Sequence, residues 1–402
     1  MTIGVLGYFV NCFITRENYA TLCTNRYRIT IAITKGDNES YNDVVSASSL
    51  YPKSLHQLTD THANYPIYNM SITPMSKTIR IATRNSPLAL WQANFVKAQL
   101  LKHHPSLSID IIGMTTRGDQ IIDTPLTKLG GKGLFVKELE KAILENNADI
   151  AVHSMKDVGT QCPPGLFIST IMARHNPFDA FVSNDYASLD AMPPNSIVGS
   201  CSLRRICQLQ KHYPQLQFTP LRGNVNTRLQ KLDDQQYDAI ILAAAGLERL
   251  QLTQRIRVEI PPEICLPAIA QGTIGIECRQ SDQRLHEMLA VLSDTDNTIC
   301  ATAERTINAR LQGSCQTPIA AYATLQNSPT NHSQQATRTL HLKALVGTPD
   351  GRLILSAAQS TTIDADMTID ALLEKATTLG NAVAASLVEQ GAAEILATLS
   401  TP

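Results

Sequence analysis

Residues Ala148-Asp-Ile-Ala-Val-His-Ser-Met-Lys-Asp-Val158 pass from an apolar, β-branched half into a polar one. With Asn146-Asn147 upstream as a break, the first half reads as a short buried strand. His153, Ser154, Lys156 and Asp157 then fall at the carboxyl end of that strand, where open α/β sheets bind their ligands. On this stretch alone, a solvated turn explains Lys156-Asp157 equally well.

The flanking sequence repeats the pattern. Upstream, Ile79–Thr83 reads as a strand, and Ser86-Pro87 is a helix start with Ser at the N-cap and Pro at N1. Trp91, Phe95 and Ala98 continue at helical spacing, and Ile109–Met114 is the next strand. Lys128-Leu-Gly-Gly-Lys-Gly-Leu-Phe135 is a glycine-rich basic loop opening a helix whose apolar stripe is Phe135, Val136, Leu139, Ala142 and Ile143. Gly133 follows the lysine where a P-loop needs Ser or Thr, so the loop reads as a cationic lid and not as a nucleotide site.

Downstream, Ser196–Gly199 is a strand, and Ser202 caps a helix with Arg204-Arg205 in its first turn. Cations there oppose the helix dipole unless an anion binds. The strand Gln217–Leu221 leads into Arg222-Gly223-Asn224 and a helix bearing Arg228, and the strand Asp238–Leu242 follows. A local Asp or Glu would account for any one of these arginines. Taken together, Arg84, Lys128, Lys132, Arg204, Arg205, Arg222 and Arg228 are better explained by a multiply anionic ligand, because the guanidinium fork matches carboxylates bidentately.

Length and order set the domain plan. A chain of 402 residues has room for two or three domains. Leu266–Glu277 reads as a crossing back between the first two. From about residue 295 the character changes to helix, loop Gln312–Pro318, strands 319–325, 339–346 and 352–357, a polar stretch 326–337, and a closing helix 370–390. The expected fold is α/β in three domains: 76–172 plus 273–292, 178–266, and an α+β domain at 295–402. Residues 1–75 are Tyr- and Asn-rich with poor periodicity, and are expected to be disordered or to precede a true start at Met70 or Met75. They show no basic n-region or cleavage site of a secretory signal, while Arg16, Arg26 and Arg28 against Glu17 leave a transit peptide open.

A net charge of −1 argues against a nucleic-acid partner, and no apolar run reaches the roughly 20 residues that cross a bilayer. Nine scattered cysteines form no Cys-x-x-Cys pair, so no metal is expected and a reducing cytoplasm fits. Cys315, in a glycine-bearing loop after a helix, is the one candidate reactive thiol, although inert packing explains most such residues.

Six motifs carry a resemblance to one family: Arg80-Ile-Ala-Thr-Arg-Asn-Ser-Pro-Leu-Ala-Leu-Trp-Gln92, Gly130-Gly-Lys-Gly-Leu-Phe135, His153-Ser-Met-Lys-Asp157, Ser202-Leu-Arg-Arg205, Leu221-Arg-Gly-Asn224 and Gly313-Ser-Cys-Gln316. In this order, from residue 77 onward, the chain resembles the porphobilinogen deaminases. The resemblance implies two periplasmic-binding-protein-like lobes plus a third domain, in a monomeric cytoplasmic transferase of tetrapyrrole synthesis. It implies four porphobilinogen units joined head to tail on a dipyrromethane cofactor thioether-linked at Cys315, with Asp157 as the catalytic carboxylate. The partners would be porphobilinogen and the growing linear polypyrrole.

Arg84, Lys156, Arg204, Arg205, Arg222 and Arg228 match positions that hold pyrrole carboxylates, as do Lys128 and Lys132 with Phe135 in the lid. Ser86, Ser154 and Ser202 match neutral hydrogen-bonding positions. Ser314, Thr317, Gly159 and Ser200-Cys201 depart from the family pattern without removing a catalytic group. A two-lobed anion-binding protein is the rival reading, but it gives no use to Cys315 or to a third domain.

Overall fold

β-branched and aromatic residues favour extended backbone, and the first strands of the chain are rich in them. The computed structural model describes residues 2–5, 8–16, 27–35, 78–120, 133–314, 316–327, 337–364 and 366–399. It divides into two units, Met1–Pro74 and Met75–Pro402. In the N-terminal unit β1 (Thr2–Val5), β2 (Tyr8–Arg16) and β3 (Tyr27–Lys35) pair as an antiparallel meander.

In the larger unit the strands follow as β4 (Ile79–Arg84), β5 (Ile109–Met114), β6 (Ile150–Ser154), β7 (Leu166–Ile171), β8 (Asp179–Val182), β9 (Ile197–Gly199), β10 (Gln217–Thr219), β11 (Ala239–Ala243), β12 (Val258–Ile260), β13 (Ile274–Arg279), β14 (Ile319–Asn327), β15 (Thr337–Gly347) and β16 (Ile354–Asp364). They build three sheets, ordered β5-β4-β6-β13-β7, β10-β9-β11-β8-β12 and β14-β15-β16. The fold is mixed α/β. The first two sheets are parallel at the heart, with β4 beside β5 and β6, and β9 beside β10 and β11. The chain leaves the first sheet after β7, forms the second, and returns as β13, which runs antiparallel to both β6 and β7.

The first sheet is covered by the helix Pro87–His103, whose Ala93, Val96 and Leu100 are fully buried against Ile81 and Ile150. That helix starts where Ser86 Oγ accepts the Ala89 N–H at 3.3 Å, with Pro87 at the first helical position. The third sheet is antiparallel and is covered by the helices Thr295–Arg310 and Ile369–Glu389. These helices cross closely at Gly380, where a Cβ would stand 2.6 Å from Ala303 O. Among the described residues, no helix is long and apolar enough to cross a membrane.

Two segments join the first two sheets, one after β7 and one before β13. They touch at Gly272, which has φ +85° and donates no bulk; a Cβ there would sit 2.4 Å from His175 O. Both segments are tied to the helix Thr295–Arg310 by one fully buried carboxylate. Glu304 accepts both ends of the Arg174 guanidinium at 2.8 and 3.0 Å, the Ala270 N–H at 2.6 Å and the Ala323 N–H at 2.8 Å. One turn from the start of the same helix, Asn297 Nδ2 donates to Met172 O at 2.6 Å and Thr273 Oγ1 at 3.0 Å.

Removing the Glu304 carboxylate strands a buried guanidinium and two amides. Glu304→Ala is therefore expected to lose about 3–5 kcal/mol of stability in urea unfolding, and a loss below about 1 kcal/mol contradicts this account of the junction.

Candidate functional site

The strand β6 ends at Ser154 and turns at once into a single 3-10 turn, Met155–Asp157. Met155 is buried there because Gly275 on β13 leaves it room: a Cβ on Gly275 would stand 2.0 Å from Met155 Sδ. With Met155 pointing inward, Lys156 and Asp157 face a cleft that Arg84, Ser86, Phe135 and Ser154 also line. The sequence reading of Ala148–Val158 as a strand feeding polar groups to its carboxyl end holds at this point.

Several of the expected site groups have protein partners. Arg84 donates Nε to Asp119 Oδ2 at 3.1 Å, pairs through Nη2 with Asp119 Oδ1, and lies over the Phe135 ring at 4.4 Å. Phe135 thus turns from the stripe of its helix toward the cleft, while Val136, Leu139, Ala142 and Ile143 are buried. Ser154 Oγ accepts from Gln92 Nε2 at 2.8 Å. His153 is buried and shares a 2.9 Å hydrogen bond with Glu277 Oε2. Ser202 stands at the N-cap of the helix Leu203–His212, yet its side chain makes no capping bond, contrary to expectation.

Arg204 and Arg205, in the first turn of that helix, are buried. Their common partner is Asp179 at the start of β8: Arg204 Nη1 lies 2.7 Å from Oδ2 and Arg205 Nη2 lies 2.6 Å from Oδ1. Arg204 also donates to Leu266 O at 2.7 Å, and Arg205 to Ile241 O at 3.0 Å. Burial pushes the Asp179 carboxyl up, but the two guanidinium groups outweigh it and hold it well below the usual carboxylate range. Gln271 links this cluster to the other lobe: its Nε2 donates to Asp179 Oδ1 at 2.9 Å, and its Oε1 accepts from Lys156 Nζ at 3.3 Å.

Lys156 and Arg228 carry the consequence of crowding cations. Burial, with Arg205 nearby, pushes the Lys156 ammonium down to about 8 against the pull of Asp157 and Asp179. Burial and Arg205 likewise push Arg228 down to about 10, although Asp157 pulls the other way. Arg228 Nε donates only to a carbonyl, Gly223 O, at 2.8 Å. Arg222 lies beside it, half-buried. Lys156, Arg204, Arg205 and Arg228 thus face two carboxylates, Asp157 and Asp179, and a ligand rich in carboxylates fits that surplus of charge. Lys128, Lys132 and Cys315 lie outside the described residues.

Sequence reading did not find Asp179, Gln271, Glu277 or Asp119. Asp179 had a findable signal, an acid directly before the apolar run Ala180–Val182. Arg249 was also missed; its Nη2 donates to Gly272 O at 2.7 Å, and its guanidinium lies 5.7 Å from the Trp91 ring.

Two family models match the chain. One, described as porphobilinogen deaminase, dipyromethane cofactor binding domain, covers residues 79–287. The other, porphobilinogen deaminase, C-terminal domain, covers 298–389. The chain belongs to the porphobilinogen deaminase family. It is accordingly a transferase of porphyrin biosynthesis with a dipyrromethane cofactor.

Among solved structures, the chain is similar to the periplasmic VFT2 domain of Bordetella pertussis BvgS, at 19% identity over 53% of this chain and 85% of that one, with a TM-score of 0.34. A putative methionine-binding lipoprotein from Bacillus subtilis matches at 12% identity over 54% and 90%, with a TM-score of 0.36. The methionine-binding protein MetQ matches at 12% over 57% and 94%, with a TM-score of 0.37. At these scores the likeness carries no weight, and the fold rests on the sheet order above.

The depressed Lys156 ammonium has a kinetic consequence. Its charge is present below pH 8 and lost as pH rises through about 8. Apparent KM for porphobilinogen is therefore expected to climb above pH 8, by up to about tenfold one unit higher. Lys156→Arg is expected to flatten the profile, and a wild-type KM that stays level to pH 9 contradicts this.

Proposed function

We propose that the chain condenses four porphobilinogen units head to tail on a dipyrromethane thioether-linked to Cys315. Each addition releases ammonia, and hydrolysis finally frees linear hydroxymethylbilane. In this reading residues 76–172 with 273–292 form the lobe bearing Asp157, and 178–266 the arginine lobe. Residues 295–402 form the domain bearing the cofactor, and 1–75 stand outside. The protein works as a cytoplasmic monomer, with neither nucleic acid nor membrane as partner.

The observation that carries the reading is Asp157 at the end of β6, facing a surplus of cations built around Asp179. Every pyrrole brings acetate and propionate groups, so the substrate and the growing chain are polyanions. Arg205, Arg222, Arg228 and Lys156 hold those carboxylates, and Ser86, Ser154 and Ser202 add neutral bonds. Arg84 joins them from its place over Phe135, with Arg204 behind Arg205. The bound dipyrromethane supplies the free α-carbon to which the first unit adds.

Asp157 answers the other half of the problem. Departure of ammonia leaves a cationic azafulvene, and bond formation leaves a positive pyrrole. A fixed carboxylate accepts the pyrrole N–H bonds and stabilises both charges as they develop. It also takes part in moving the proton to the leaving amine or from the α-carbon.

Steady-state ammonia release from porphobilinogen tests this. Asp157→Asn is expected to keep the fold and lose turnover by about 10²–10³-fold or more. Asp157→Glu keeps the charge with altered reach, so it is expected to be slow but active. Near-normal turnover in Asp157→Asn refutes the assignment.

A further inference from the structure

The segment that carries Asp157 is held from outside its own lobe. Met155 and Val158, on either side of Lys156-Asp157, are buried against Ala301 of the helix Thr295–Arg310 and against Ala270 of the returning segment. One helical turn after Ala301, Arg305 reaches the backbone just past the carboxylate. Its Nη1 donates to Val158 O at 3.2 Å and its Nη2 to Gly159 O at 2.7 Å. Among the described residues no carboxylate pairs with Arg305, and its guanidinium spends these donors on the two carbonyls alone.

The surroundings make those two bonds matter. A cavity of about 360 Å³ opens on this side, lined by Met155, Cys162, Ile168, Thr302, Arg305 and Thr306. On its Cβ side Gly159 is open; the one atom a Cβ would approach is Gln161 O at 3.8 Å. Past Val158 the segment therefore lies against open space, with the guanidinium as its tether. The helix that supplies the tether runs on through Arg310 and Leu311 into the loop that contains Cys315.

We propose that Arg305 is a positioning residue that holds Asp157 in register with the cofactor-bearing loop. One helix grips the catalytic carboxylate's segment at Arg305 and leads to the cofactor's attachment loop ten residues later, so the tether fixes the reach from carboxylate to chain end. Arg305 points away from the cleft side of the segment and binds no pyrrole carboxylate. The proposal rests on the reading of Asp157 and Cys315 given above.

The test uses full-length holoprotein, with wild type, Arg305→Ala and Arg305→Lys assayed on porphobilinogen and weighed intact. Expected in Arg305→Ala are a retained cofactor mass, a KM within about twofold of wild type, and a kcat lower by about ten- to a hundredfold. Because Arg305 lines an open cavity, guanidinium chloride at tens of millimolar is expected to restore part of that kcat. Arg305→Lys, which can bond one carbonyl, is expected to fall between, and it decides the matter if Arg305→Ala does not fold.

A wild-type kcat in either variant overturns the proposal. So does a raised KM at unchanged kcat, which would make Arg305 a substrate anchor. A kcat loss that guanidinium does not restore, in a variant with lowered melting temperature, overturns it as well by reducing the role to stability. If wild type itself fails to condense porphobilinogen, it is the functional reading that falls.

Discussion

The cleft keeps several cations close together, and Asp179 is what makes that possible. Its carboxylate has no exposure and meets two guanidinium groups at 2.6 and 2.7 Å. Two unpaired arginines at a helix N-terminus would oppose the dipole and each other, and an uncompensated buried charge is strongly destabilising. Asp179 removes that cost for Arg204 and Arg205 while leaving the cleft cationic, since Lys156 and Arg228 remain in surplus. Through Gln271, the same carboxylate is one hydrogen bond removed from Lys156, the neighbour of Asp157. The arginine cluster and the turn that carries Asp157 thus share one electrostatic anchor.

Around that anchor the architecture is a matter of connections. The chain crosses between the first two sheets in the segments that meet at Gly272 and His175, and both are bound to the third sheet's helix through Glu304 and Asn297. Short crossings of this kind allow lobes to shift as rigid bodies about a few residues. On the proposed reaction, a product that lengthens by one ring per cycle uses such freedom, while the reacting end stays beside Asp157. Both crossings are bonded to a single helix, Thr295–Arg310.

Local signals carried much of the sequence reading. Ser86-Pro87 begins its helix as expected because capping chemistry lies within three residues, and β5 occupies Ile109–Met114 because its apolar run has clear borders. The turn at Met155–Asp157 was legible for the same reason. The edges of longer elements drifted, as in β16, which begins at Ile354 and runs to Asp364. The strands β7, β8 and β12 went unread, whereas the equally short β9 and β10 were marked by the helix starts at Ser202 and Asn224 that follow them.

The site was less legible where partners are distant. Asp179 lies 25 residues before Arg204, and Glu277 lies 124 residues after His153; no spacing rule joins them. For that reason the arginines read from sequence as a uniform ligand set. In the fold they divide: Arg84 is paired with Asp119, Arg204 and Arg205 with Asp179, and Arg228 donates to the Gly223 carbonyl with Arg222 beside it. Ser202 likewise sits where a cap belongs without making the bond, because cap position is a matter of sequence and cap geometry a matter of what surrounds it.

The central claim is that this cationic cleft serves a chain grown on a covalently held dipyrromethane. Intact mass spectrometry of the purified full-length protein, beside a Cys315→Ala variant, tests it most directly. The account predicts an excess over the chain mass equal to two linked pyrrole units, present in the wild type and absent in the variant. A wild-type protein that carries only the mass of its chain, made in cells supplied with porphobilinogen, would contradict it.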